Sequence, residues 1–219
     1  ISTNSFTSVP SFLQTQVVAL RTSRSRTSFK IHRGLLVTKC PFLDAAIAES
    51  RTVANMKPYI CTETRDSTLV AFIQWAYTGE EEDESMNQES DDESTIRQTT
   101  DELTEHVELY IFCHWYRIPE LQEEAFRRIK LTLAMLRPSA GNMSAVVSAI
   151  RLVEARLPRV GDDPLRDHFA HYVAWEIDSL REFDCFRMLL RGLPDFALLV
   201  FAWVRPSELS PVRGGVAHG

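Results

Sequence analysis

"FKIHRGLLVTKCPFL", Phe29 to Leu43, changes period halfway along. Its first four residues alternate apolar with polar or amphipathic side chains, the period of a half-buried strand. After Pro41 the spacing switches. Phe42, Leu43, Ala46 and Ile47 fall at i, i+1, i+4 and i+5, which predicts one helical face. Proline suits the first helical turn, where its missing N–H is not needed. A strand that hands over to a helix within one short stretch predicts a mixed α+β class.

On the N-terminal side, "TQVVAL" (Thr15 to Leu20) is a β-branched run that reads as a strand. The polar, basic "RTSRSRTS" between the two runs reads as an exposed turn, so the pair predicts a hairpin with arms of about four to six residues. On the C-terminal side, "RTVANMKP" reads as a loop and "YICTE" as a third short strand. Then comes "DSTLVAFIQWAYTGE", Asp66 to Glu80. Asp66 or Ser67 offers an N-cap. Leu69, Phe72, Ile73, Ala76 and Tyr77 recur at helical spacing. Gly79 stands where a left-handed C-cap belongs.

Past Gly79 the composition turns acidic. Residues 80–105 hold 12 of the 30 acids and a single base, Arg97. The net charge of −6 therefore hides a basic remainder of 23 bases against 18 acids. Like charges repel and few apolar residues are available to bury, so residues 80–102 read as a disordered acidic insertion. It reads either as a solubilising tether or as a regulated binding segment. "SDDE" resembles an acidophilic-kinase site, which makes Ser90 a candidate phosphosite.

Helical periodicity resumes at "ELTEHVELYIFCHWYRI", with Leu103, Val107, Tyr110, Ile111, His114 and Trp115 on one side. "IPELQEEAFRRIKLTLAML" follows, with Leu121, Ala125, Phe126, Ile129 and Leu133 inward. After Pro138 and Gly141 come four more helix candidates and no strand signal: "NMSAVVSAIRLVEA", "DPLRDHFAHYVAWEIDSL", "FDCFRMLL" and "PDFALLVFAWV". The division is a lead-in over 1–11, a first domain over 12–136 and a helical extension over 137–219.

With 44% hydrophobic residues the chain has enough apolar surface for a packed core. No apolar run reaches membrane-spanning length. No secretory signal pattern is visible, and the chain opens on Ile1 rather than Met. Cys40, Cys61, Cys113 and Cys185 form no C-x-x-C pair and sit among apolar neighbours. They read as buried free thiols of an intracellular protein, cytoplasmic or nuclear. No glycine-rich phosphate loop, H-E-x-x-H or G-x-S-x-G appears, so neither a cofactor nor a small-molecule substrate is signalled. His168 and His171 share a helix edge without further ligands at metal spacing. Cys113 and His114 are adjacent and point apart on a helix. "RTSRSR" reads as a solvated hairpin tip rather than a nucleic-acid contact, because aromatic interleaving is absent.

Taken in order, these pieces resemble a BTB/POZ domain. "FKIHRGLLVTKCPFL" is similar to that family's F-x-x-H-x-x-L strand-then-helix segment and the S-P-x-F that follows it, through Phe29, His32, Leu35, Leu36 and Phe42. "DSTLVAFIQWAYTGE" resembles its W-x-Y-T-G helix end, through Trp75, Tyr77 and Gly79. "HVELYIFCHWYRIPELQEEAFRRI" is similar to its paired helices, with Tyr116 in register. The layout is like that of short fungal BTB-domain proteins. The resemblance covers about residues 12–136 and implies a small sheet of about three short strands packed with helices. It implies a non-catalytic scaffold or adaptor that self-associates or binds a protein partner, with no membrane role and no direct nucleic-acid contact. Val17, Val18, Lys39, Ile47 and Glu49 are the candidate interface residues. Leu13, Gln14 and Thr15 stand where the family often has a first-strand acid in its dimer pocket, and Lys39 stands at a basic position of that pocket. Two alternatives remain beside self-association: a substrate adaptor of a cullin-3 ubiquitin ligase, and a transcription-associated factor.

Overall fold

The computed structural model describes residues 11–50, 57–79, 93–136, 138–139, 141–158 and 163–204, and of residues 93–98 the backbone only. The chain divides into two compact units, Ile1–Leu136 and Arg137–Gly219.

The first unit is an α+β fold. A short 3-10 helix (Ser11–Gln14) leads into β1 (Val17–Thr22) and β2 (Ser28–His32), then α1 (Arg33–Lys39), α2 (Pro41–Glu49) and β3 (Tyr59–Cys61). Three longer helices complete it: α3 (Asp66–Thr78), α4 (Glu93–Tyr116) and α5 (Pro119–Met135). The sheet order is β2-β1-β3. β1 runs antiparallel to β2, with Val17 opposite His32, and parallel to β3, with Leu20 opposite Tyr59. A parallel neighbour needs a crossover, and α1 and α2 lie within it. Val18, Leu20 and Ile31 are buried on one face of the sheet. There Thr22 Oγ1 donates to Asp66 Oδ1 of α3 at 2.6 Å.

Cys40 separates α1 from α2, with φ −146° and ψ 64°. A residue before proline is pushed out of the helical region, so Pro41 both ends one helix and starts the next. The N-cap of α3 is Arg65, not Asp66 or Ser67. Asp66 instead takes the first helical position, and its carboxylate receives the Thr22 hydroxyl. The far end of α3 is closed by Gly79, in the left-handed region at φ 76°, whose N–H reaches Trp75 O at 2.8 Å.

α4 begins at Glu93, well before the expected start near Glu102. The stretch 93–102, expected to be disordered, is helical. The reason is propagation. From Val107 to Cys113 every residue is buried, so about two turns of the helix are fixed from all sides. Each residue added to an existing helix gains a backbone hydrogen bond at little extra cost. Residues 80–92, with Ser90, lie outside the described residues, as do residues 51–56 of the proposed loop and most of the lead-in.

The second unit holds α6 (Met143–Arg156), α7 (Pro164–Trp175), α8 (Ile177–Leu180), α9 (Asp184–Gly192) and α10 (Pro194–Trp203). The stretch expected to form one helix from Asp163 to Leu180 is interrupted at Glu176, leaving α7 and α8. Asp163 caps α7 by accepting from Leu165 N at 2.9 Å. Val146, Ile150, Phe169, Val173, Phe186 and Phe196 are buried. Arg166 and Glu154 form a buried ion pair at 2.7 Å that ties α7 to α6. Among the described residues no helix is long and apolar enough to cross a membrane.

Candidate functional site

Two of the motif residues, His32 and Tyr77, meet at one joint with Phe12, Thr15 and Gly34. The 3-10 helix closes on the start of α1, where the backbones come so near that only hydrogen fits between them. A Cβ on Gly34 would stand 3.0 Å from Phe12 Cα and Thr15 Cγ2. Thr15 fastens the contact, since its hydroxyl donates to Phe12 O at 2.6 Å and accepts from Gly34 N at 2.9 Å. Beside it, Phe12, His32 and Tyr77 make three mutual edge-on ring contacts, with centroids 5.9 to 6.3 Å apart.

Tyr77 also bridges α3 to the sheet. His32 N–H donates to its hydroxyl oxygen at 3.2 Å, and His32 Nδ1 lies 2.6 Å from the same oxygen. The ring nitrogen and the hydroxyl share one hydrogen bond, and the tautomer of His32 decides which of them donates.

Around this joint lie apolar side chains that the fold leaves in water. Leu13 is 41% exposed, Val17 46% and Val37 54%. Val37 is one helical turn beyond Gly34, so it shares the side on which the 3-10 helix lies. Of the other expected interface residues, Glu49 is exposed, whereas Val18 (6% exposed) and Ile47 (0%) are core and have no surface to offer a partner. Period-2 alternation explains Val18: only one of two adjacent strand residues faces out, and that is Val17. Lys39 finds two partners. Its ammonium stands 4.8 Å over the Trp75 ring and 3.7 Å from Glu120.

The motif residues divide by depth. Leu35, Leu36 and Trp75 are buried; Phe29, His32 and Tyr116 are half-buried. Tyr77 and Phe42 are exposed, against the expectation of a core place. Phe42 and Leu43 are consecutive, and Leu43 takes the core position, leaving the Phe42 ring to stack under the Arg117 guanidinium at 4.9 Å. Trp115, expected inward, is 53% exposed.

A second knot lies where α1, β3 and α4 end. Cys40 Sγ donates to Tyr116 O at 3.7 Å. Burial pushes the Cys40 thiol up to about 12 and the Cys61 thiol up to about 11. Burial also raises the Tyr116 hydroxyl, with Cys61 and Tyr59 adding to the effect. Thiols held this far above neutral pH stay protonated and are poor nucleophiles. The four cysteines form no disulfide.

His171 stacks on Trp203 at 4.4 Å, and the Trp203 indole donates to Asp167 at 2.9 Å. Among the described residues no group of three or more His, Cys, Asp or Glu is placed to hold a metal ion. Sequence reading missed the joint itself: Phe12, Thr15 and Gly34. One signal was available, a glycine inside a helix-forming run, which marks a close backbone approach. A scan against protein-family models finds no match to this chain, and a search of curated proteins finds none either.

Proposed function

We propose that the chain is a protein–protein interaction module of BTB/POZ type, a non-catalytic scaffold or adaptor that associates with a second copy through the face around Gly34. The observation that carries this reading is the grouping of half-exposed Leu13, Val17 and Val37 on segments that Thr15 and Gly34 hold together. Scattered apolar side chains need no explanation, whereas exposed ones on segments tied to one another favour a contact surface. A two-fold contact uses each residue twice, so a small group supplies a symmetric interface. The element order strand, strand, helix, helix, strand, helix and then a helix pair agrees with the resemblance.

The test is the molar mass of the full chain by light scattering, alongside Val37→Glu. The reading expects a dimer for the native chain and a monomer for the variant, with unchanged far-UV circular dichroism. A native chain that stays monomeric at high micromolar concentration rejects it. Titration with the N-terminal domain of cullin-3 on the same sample separates self-association from the adaptor role.

A further inference from the structure

We infer that the β1–β2 hairpin is a second docking surface, which takes an extended acidic peptide segment of a partner protein along the outer edge of β2. Three observations meet there. The first is charge. Residues 1–43 contain six bases (Arg21, Arg24, Arg26, Lys30, Arg33 and Lys39) and no acid before Asp44. Arg33 is neutralised by Asp44 at 2.7 Å and Lys39 faces Glu120. Arg24, Arg26 and Lys30 are exposed, with no ion pair among the described residues.

The second is the ladder. Among the described residues β2 is an edge strand. Arg33 N donates to Gln16 O at 2.8 Å, which sets the phase of the pairing: residues 29, 31 and 33 bond to β1, while 28, 30 and 32 point away from it. The outward N–H of His32 already has the Tyr77 hydroxyl. The backbone groups of Ser28 and Lys30 point to this outer edge, where no described strand pairs with them. An added strand pairs with such groups, and its side chains then choose between partners.

The third is side-chain geometry. Lys30 lies opposite Ala19 and Ser28 opposite Arg21, so Arg21 and Lys30 are diagonal neighbours on one face. A basic edge repels a basic strand and attracts an acidic one. The same pairing separates a peptide from a nucleic acid, which has no backbone amide row to complete the ladder. The acidic stretch over 80–105 also opposes a polyanion more strongly than a short peptide.

The probe is a labelled twelve-residue Glu/Thr/Val peptide titrated into the full chain by fluorescence anisotropy. Its comparisons are the same peptide N-methylated at alternate residues and a single-stranded oligonucleotide of equal charge. The expected result is saturable binding that weakens with salt. Tenfold or greater losses are expected on N-methylation and in Arg24→Glu/Arg26→Glu. That variant changes only exposed turn residues, and its melting temperature checks that it is folded. Equal binding of all three probes would mean a generic polyanion surface and overturn the inference. Absence of binding would also overturn it. So would binding seen only after Glu80, Glu81, Glu82 and Glu84 are changed to glutamine, because the edge would then belong to the chain's own acids. None of these outcomes bears on the face around Gly34, whose test is molar mass.

Discussion

Gly79 and Gly34 are both glycines at the rim of the first unit, and they are required for different reasons. Gly79 adopts φ 76° with open space around it. Only the backbone conformation constrains that site, so Gly79→Ala should cost about 1 kcal/mol, the left-handed penalty for a residue with a Cβ. Chemical denaturation of the variant checks this, and an unchanged midpoint would contradict it. Gly79 was legible because a helix pattern followed by glycine is a local signal. Gly34 was legible only in part: a glycine in a helix-forming run signals a close approach, but tertiary packing alone decides that Phe12 makes it. Glu124 is a similar case on the surface of α5. Hydrogen bonds from Arg127 hold its carboxyl down at about 2, against burial and with help from Arg128. A carboxyl lowered from its ordinary 4.5 contributes stability above that value, and the contribution disappears as pH falls towards 2. Native protein should therefore exceed Glu124→Gln in stability at pH 7, and the gap should close between about pH 4.5 and 2 in urea melts.

Elements were legible where a single period ran between clear stops. The hairpin, α3 and α5 are of this kind. They were misread where the deciding neighbour lay elsewhere in the fold. Phe42 looks like core beside Leu43, but one helical face cannot bury both fully. The polar start of α4 has no apolar stripe of its own and is helical because it continues a buried helix. In the second unit the α6–α7 pair rests on Glu154 and Arg166, both nearly inaccessible. Arg166 also donates to Pro158 O at 3.2 Å. Removing one partner leaves a buried charge uncompensated, so Glu154→Ala should destabilise the unit by about 3 kcal/mol. Replacing both residues with apolar ones of similar volume should recover most of that loss. Equal destabilisation in the single and double variants would mean that packing, not charge, is responsible.

For the whole molecule, the chain falls into two units that meet in sequence between Leu136 and Arg137. The first has its own sheet, its own buried helix and its own core of Leu20, Leu36, Phe72, Ile111 and Ile129. A chain ending at Leu136 should therefore fold alone and melt cooperatively by circular dichroism; a broad, non-cooperative melt would show that the units depend on each other. Within this first unit, self-association through the face around Gly34 is the central claim. Light scattering on the full chain, with Val37→Glu beside it, tests it most directly. The account predicts about twice the 25.0 kDa chain mass for the native protein and the single-chain mass for the variant. A native protein at the single-chain mass at high micromolar concentration, or a variant that remains dimeric, would contradict it.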